Sequence, residues 1–144
     1  MNKIVFWFFI VILAVGCNKD SVNIIPNVRF IATVNIVPQY SGKSLFMIMP
    51  SGSNQVVGVN GVVVWNNGGD QYYAFDRMCT HTHEDGKYHF VEIIEDGNPV
   101  VKCPECESEY LVATEYGDII KGPAVYALKP YATSYSNGQL TIRN

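Results

Sequence analysis

From Val28 onward the apolar residues come in short runs, and nearly every run stops at a turn signal. Val28, Phe30, Ala32, Val34 and Ile36 alternate with Arg29, Thr33 and Asn35, the period of a strand with one buried face. Leu45 to Met49 is a second run, Val56-Val57 a third and Val62 to Trp65 a fourth, with Asn60-Gly61 between the last two as a two-residue hairpin signal. Asn67-Gly68-Gly69-Asp70 predicts a turn into Gln71 to Phe75. Further strands are expected at Tyr88 to Ile94 and, across the turn Asp96-Gly97-Asn98, at Val100 to Lys102. Tyr110 to Ala113, Val125 to Leu128, Ala132 to Tyr135 and Leu140 to Ile142 complete the set, the last two joined at Asn137-Gly138. No segment holds a helical period over three turns. The expectation is an all-β barrel or sandwich, and the 144 residues leave room for one such domain and a short leader.

The leader is residues 1–16. Asn2 and Lys3 form a polar start, and Ile4 to Val15 is an unbroken apolar run of twelve, short of the roughly 20 residues that span a bilayer. It ends in Leu13-Ala14-Val15-Gly16-Cys17, small residues before a cysteine, which resembles the processing box of bacterial lipoproteins. That resemblance implies cleavage before Cys17, acylation of Cys17, a tether over residues 17–27 and a domain over 28–144 in the bacterial cell envelope, held to the membrane by lipid. Without Lys3, nine Lys and Arg face thirteen Asp and Glu, so the mature chain is mildly acidic. Such a surface lacks the basic footprint of a nucleic-acid binder. No Ser/His/Asp set, paired catalytic carboxylates or glycine-rich phosphate loop is evident, so hydrolase and nucleotide-binding readings have no support.

Three cysteines remain after Cys17, an odd number that internal disulfides cannot satisfy. Cys79-Thr80-His81 directly follows one expected strand and Cys103-Pro104-Glu105-Cys106 directly follows another. Each pair offers soft or borderline ligands from one tight loop, and the twenty-one residues between His81 and Cys103 suffice for a hairpin that brings the loops together. Read as residues alone, Cys79, His81, Cys103 and Cys106 suit a metal centre. Iron–sulfur, structural zinc, and a disulfide or dithiol at Cys103 and Cys106 all remain open.

The order CxH, then CPxH-x-S-x-Y some twenty residues later, is the signature of Rieske [2Fe–2S] domains, and this chain resembles it. It reads Cys79-Thr80-His81, then Cys103-Pro104-Glu105-Cys106-Glu107-Ser108-Glu109-Tyr110, with Gly122-Pro123-Ala124 where the family has its proline loop. The resemblance implies an antiparallel β base domain with a small inserted cluster-binding subdomain, here loops within about 76–124, and electron transfer to a redox partner protein. In the family, two cysteines hold one iron and two histidines the other. Carried over, Cys79 and Cys103 match the cysteine pair and His81 the first histidine, while Cys106 stands in place of the second. Glu107 replaces the family's glycine after that ligand. Ser108 and Tyr110 match the hydroxyls that hydrogen-bond the cluster sulfurs, and Pro123 lies beside them. His83 is the substitute nitrogen should Cys106 not bind. Otherwise it is an ordinary loop histidine.

Overall fold

The computed structural model describes residues 24–52, 55–82 and 84–144, so the leader, Cys17, most of the tether and His83 lie outside the described residues. Among the described residues the regular structure is all strand: β1 (Ile31–Asn35), β2 (Leu45–Ile48), β3 (Val62–Gly68), β4 (Gln71–Asp76), β5 (Glu92–Ile93), β6 (Val100–Lys102), β7 (Glu109–Leu111), β8 (Asp118–Lys121), β9 (Pro130–Ser136) and β10 (Gln139–Arg143). Six strands form a curled antiparallel sheet in the order β1-β10-β9-β4-β3-β2, and four form a smaller sheet in the order β5-β6-β7-β8. No helix among the described residues is long and apolar enough to cross a membrane.

Burial explains the sequence pattern strand by strand. On β1, β9 and β10 one face is buried and the other wet, so apolar and polar residues alternate there. The middle of the large sheet is covered on both sides, so β3 opens with three consecutive buried valines. Phe46, Ile48, Val62, Val64, Tyr72 and Ala74 turn into one core with Phe30, Ala32, Tyr131, Leu140 and Ile142. Their neighbours Leu45, Val63 and Phe75 point the other way, into a second core with Val91, Val101, Tyr110 and Val112 under the small sheet. That second core also holds Cys79 and Cys103. The site is therefore built on the seam between the sheets.

Two of the predicted tight turns behave as their residues dictate. Asn137 and Gly138 both take positive φ, 51° and 78°, which a primed hairpin turn between β9 and β10 requires. Asp70 ends the β3–β4 turn at φ 65°. Gly117 needs its lack of side chain as well as its φ of 63°: a Cβ there would lie 2.8 Å from the Phe75 ring and 3.1 Å from Leu128. That close approach seats the β7–β8 turn on the second core.

Three expected strands turn out differently. Val56-Val57 is no strand and Asn60-Gly61 no hairpin. The chain turns over residues 58–60, with the Gly61 amide donating to the Val57 carbonyl (2.7 Å), and Val57 plugs the first core. Tyr88 to Ile94 reduces to β5 and a bridge between Met78 and Phe90. Val125 to Leu128 is irregular, because its polar groups bond elsewhere: Leu128 N donates to Gly117 O (3.0 Å) and Tyr126 O accepts from the Thr80 hydroxyl. At the other end Ile25, placed in the tether by the sequence reading, is 5% exposed, and Asn27 accepts from Asn144 and Lys129 side chains. Packing thus begins before Val28, at the apolar Ile24-Ile25 pair.

One polar group lies under the site. Asp76, the last residue of β4, is fully buried and accepts three hydrogen bonds: from Tyr131 Oη (2.6 Å), Val59 N (2.8 Å) and Met78 N (2.7 Å). Burial, with the Asp76 carboxylate as the next cause, pushes the Tyr131 phenol well above its usual range. Arg77 follows, its guanidinium bonded to the carbonyls of Asn60 and Val91 and set 5.6 Å from the Phe90 ring centre. These contacts fix the direction in which the chain leaves β4 for Cys79.

Candidate metal centre

Two loops and a strap make the site. The first loop leaves β4, and its Cys79 amide donates to His89 O (2.8 Å). The second is the turn between β6 and β7. Cys103 N donates to Ser108 O and Glu107 N to Cys103 O, both at 2.9 Å, so the turn closes on itself. Glu107 sits at φ 60°, a left-handed conformation that favours glycine, the residue the motif carries there. It forms an exposed ion pair with Lys102 (3.1 Å). The strap is residues 122–126. Ala124 N donates to Ser108 Oγ (2.9 Å) and Tyr126 O accepts from Thr80, so it is tied to both loops.

These loops bring the sulfurs of Cys79, Cys103 and Cys106 within 4.8 Å of one another. Cys79 and Cys103 are buried, at 1% and 0% exposure, while Cys106 is half-buried. Cys79 Sγ lies 3.6 Å from Cys106 Sγ and 3.3 Å from Tyr110 Oη, and Cys106 Sγ lies 3.1 Å from Ser108 Oγ. Tyr110 is itself fully buried and also accepts from Thr80 N (3.3 Å). His81 is half-buried, and its backbone amide donates to Cys79 Sγ. Its ring stands outside the three-sulfur group. Pro123 is exposed at the crest of the strap, next to the buried Ala124.

The three thiols differ electrostatically. Burial pushes Cys79 up to about 12, against opposing hydrogen bonds from Tyr110 and the His81 amide. Burial also raises Cys103, although the amides of Cys106 and Glu105 donate to its sulfur. Burial acts on Cys106 as well, but the Ser108 hydroxyl and amide outweigh it and hold that thiol below the ordinary value. Two sulfurs thus lie buried, where the neutral thiol is favoured unless a cation is present, and at the third Ser108 stabilises the charged form. Such a donor set fits an iron–sulfur centre: soft ligands with hydroxyls at sulfur.

Two ionisable side chains near the site, His89 and Glu109, have partners of their own. His89 is half-buried, with Nε2 3.1 Å from the Asp85 carboxylate. Glu109 pairs with Lys121 (3.2 Å) across β7 and β8. Sequence reading missed Thr80, whose hydroxyl is 3.1 Å from Tyr110 Oη and ties the first loop to the strap. Its place inside the CxH motif was the available signal.

Comparison with known proteins gives a family. The family profile described as Rieske [2Fe-2S] domain matches residues 48–132, more than half of the chain. No curated protein sequence matches. Among solved structures, the plasma membrane Rieske protein PetC3 of the cyanobacterium Synechocystis PCC 6803 is 27% identical over 58% of this chain and 77% of its own, with a TM-score of 0.48. A chain in the complex of reduced oxygenase and oxidized ferredoxin in carbazole 1,9a-dioxygenase is 19% identical over 70% of this chain and 81% of its own, also at 0.48.

Proposed function

The chain belongs to the Rieske [2Fe-2S] domain family, and from that premise we propose that Cys79, Cys103, Cys106 and His81 hold a [2Fe–2S] cluster through which the protein passes single electrons to a partner protein. The carrying observation is the convergence of three sulfurs from two loops, with the Tyr110 and Ser108 hydroxyls at 3.3 and 3.1 Å from two of them. The bound group supplies one-electron chemistry. The chain supplies the rest. Cys79 and Cys103 lie in the apolar seam between the sheets and exclude water from one side. Ser108 and Tyr110 offer hydrogen bonds that stabilise charge on sulfur, which favours the reduced state. The half-buried Cys106 and the exposed strap form the edge through which a partner would reach the centre.

The test is a visible spectrum of anaerobically purified protein with metal analysis. The expected result is a brown protein with about two irons per chain. A colourless protein with one zinc would make the same residues a closed structural site, and a colourless protein without metal would leave a dithiol module.

Independently of the cluster, the lipoprotein-like box Leu13-Ala14-Val15-Gly16-Cys17 supports a place for the domain on a membrane surface. Leader 1–16 is removed, Cys17 is acylated, and the domain stands in the bacterial cell envelope, held to the membrane by lipid. Cys17→Ser should release the protein to the soluble fraction and abolish uptake of labelled fatty acid. Unlabelled wild-type protein in the soluble fraction would make it an ordinary secreted domain.

A further inference from the structure

The family pattern has histidine where this chain has Cys106, and an imidazole cannot form a disulfide. In this chain Cys106 Sγ lies 3.6 Å from Cys79 Sγ, which is van der Waals contact between sulfurs of different loops. A disulfide bond is about 2.05 Å long, so small side-chain rotations on two loops would close the gap. Cys103 Sγ also lies within 4.8 Å of both other sulfurs and is as buried as Cys79, but two amides of its own turn, Glu105 and Cys106, donate to it, against the single His81 amide at Cys79, and hold it inside the turn. Cys106 is the half-buried member of the trio, so a reagent from solvent meets it first.

We propose that Cys79 and Cys106 form a reversible inter-loop disulfide before a cluster is inserted, and that this bond gates loading of the site. The oxidant is another disulfide, either a small molecule or a dithiol oxidoreductase. The Cys106 sulfur attacks one sulfur of the reagent, forming a mixed disulfide and expelling one reagent thiolate. Cys79 then attacks the Cys106 sulfur and expels the second. The two protein thiols lose two electrons to become one disulfide, and their two protons go to the two reagent thiols released. Two of the three sulfurs are consumed, so the cluster cannot be held until a reductant restores them. The gating half of this inference rests on the cluster reading above, whereas the disulfide itself does not.

The experiment uses the purified protein stripped of metal by a chelator, reduced, freed of reductant, and treated with oxidised glutathione. Peptide mapping after blocking free thiols should find Cys79 linked to Cys106 and Cys103 blocked as a free thiol. Iron uptake from ferrous iron and sulfide should fall at least tenfold in the oxidised sample and return after dithiothreitol. In Cys106→His the same oxidant should leave iron uptake unchanged. A Cys103–Cys106 link, a stable glutathione adduct on Cys106, or three unmodified thiols would each overturn the proposal. So would full iron uptake by the linked form. If the reduced, untreated control takes up no iron, the cluster reading fails, and the peptide map still decides the disulfide.

Discussion

A Cys106→His variant should be easier to reduce than the natural protein, by on the order of 100 mV or more. With two thiolates the oxidised centre is neutral, and a third thiolate leaves it one negative charge, which opposes the incoming electron. The two limits are known for related centres: about −400 mV for four cysteines in plant-type ferredoxins and about −150 to +300 mV for the two-histidine arrangement. A set of three cysteines and one histidine belongs between them. The Tyr110 hydroxyl stays on Cys79 and offsets part of the charge in both forms, whereas the Ser108 contact to Cys106 is lost with that sulfur and takes back part of the gain. The variant should also depend more steeply on pH, because a second coordinated imidazole adds a second ionisation. Protein-film voltammetry on both proteins across pH reads the two effects together. Equal potentials and equal slopes would remove Cys106 from the ligand set.

Asp76→Ala should lower stability by about 3 to 5 kcal/mol. The carboxylate is fully buried, and its loss strands the Tyr131 hydroxyl and the amides of Val59 and Met78 without acceptors. Close packing makes the site hard to refill: Asp76 Oδ2 lies only 2.7 Å from where a Cβ on Gly58 would stand. Tyr131→Phe is the useful control, since it removes one donor and leaves both amides satisfied. It should cost about 1 to 2 kcal/mol. Denaturant unfolding of the three proteins measures the series through shifts in midpoint at constant slope. A loss for Asp76→Ala no larger than that for Tyr131→Phe would mean that solvent or a neighbouring group replaces the carboxylate.

Most strands could be read from the chain because their burial has a period of two. Ala32 and Val34, or Leu140 and Ile142, fall on one face however the sheet is assembled. What could not be read depends on neighbours. Strand β8 carries Ile119 and Ile120 between two charged residues and is mostly exposed, so nothing local marks it. It exists because β7 offers an edge, paired at Tyr110↔Ile119 and Glu109↔Lys121. Val57 misled in the opposite sense: its side chain is wholly buried, but Gly58 takes φ 60° directly after it and the backbone turns away from any ladder. In the strap, Val125 is 76% exposed although apolar, so hydrophobicity there does not mark a strand. The site shows the same division. Ser108 and Tyr110 could be found by their offsets from Cys106. The 3.6 Å approach of Cys106 to Cys79 reflects how two loops dock, which no spacing encodes.

The large sheet pairs β4 directly with β9, Ala74 against Tyr131 and Phe75 against Pro130, although more than fifty residues of chain separate them. Residues 77–129, with the small sheet and every candidate ligand, leave and re-enter at one spot. Antiparallel neighbours can be joined by a hairpin of two residues, so the backbone would permit the whole segment to be excised or exchanged as a cassette. Side chains set the terms of such an exchange. Leu45, Val63 and Phe75 face the cassette from the large sheet and would be bared by its removal, leaving an apolar patch prone to self-association. A graft that keeps this curled sheet and installs a different metal module must therefore match those three residues in shape, whereas its ligands are free to change.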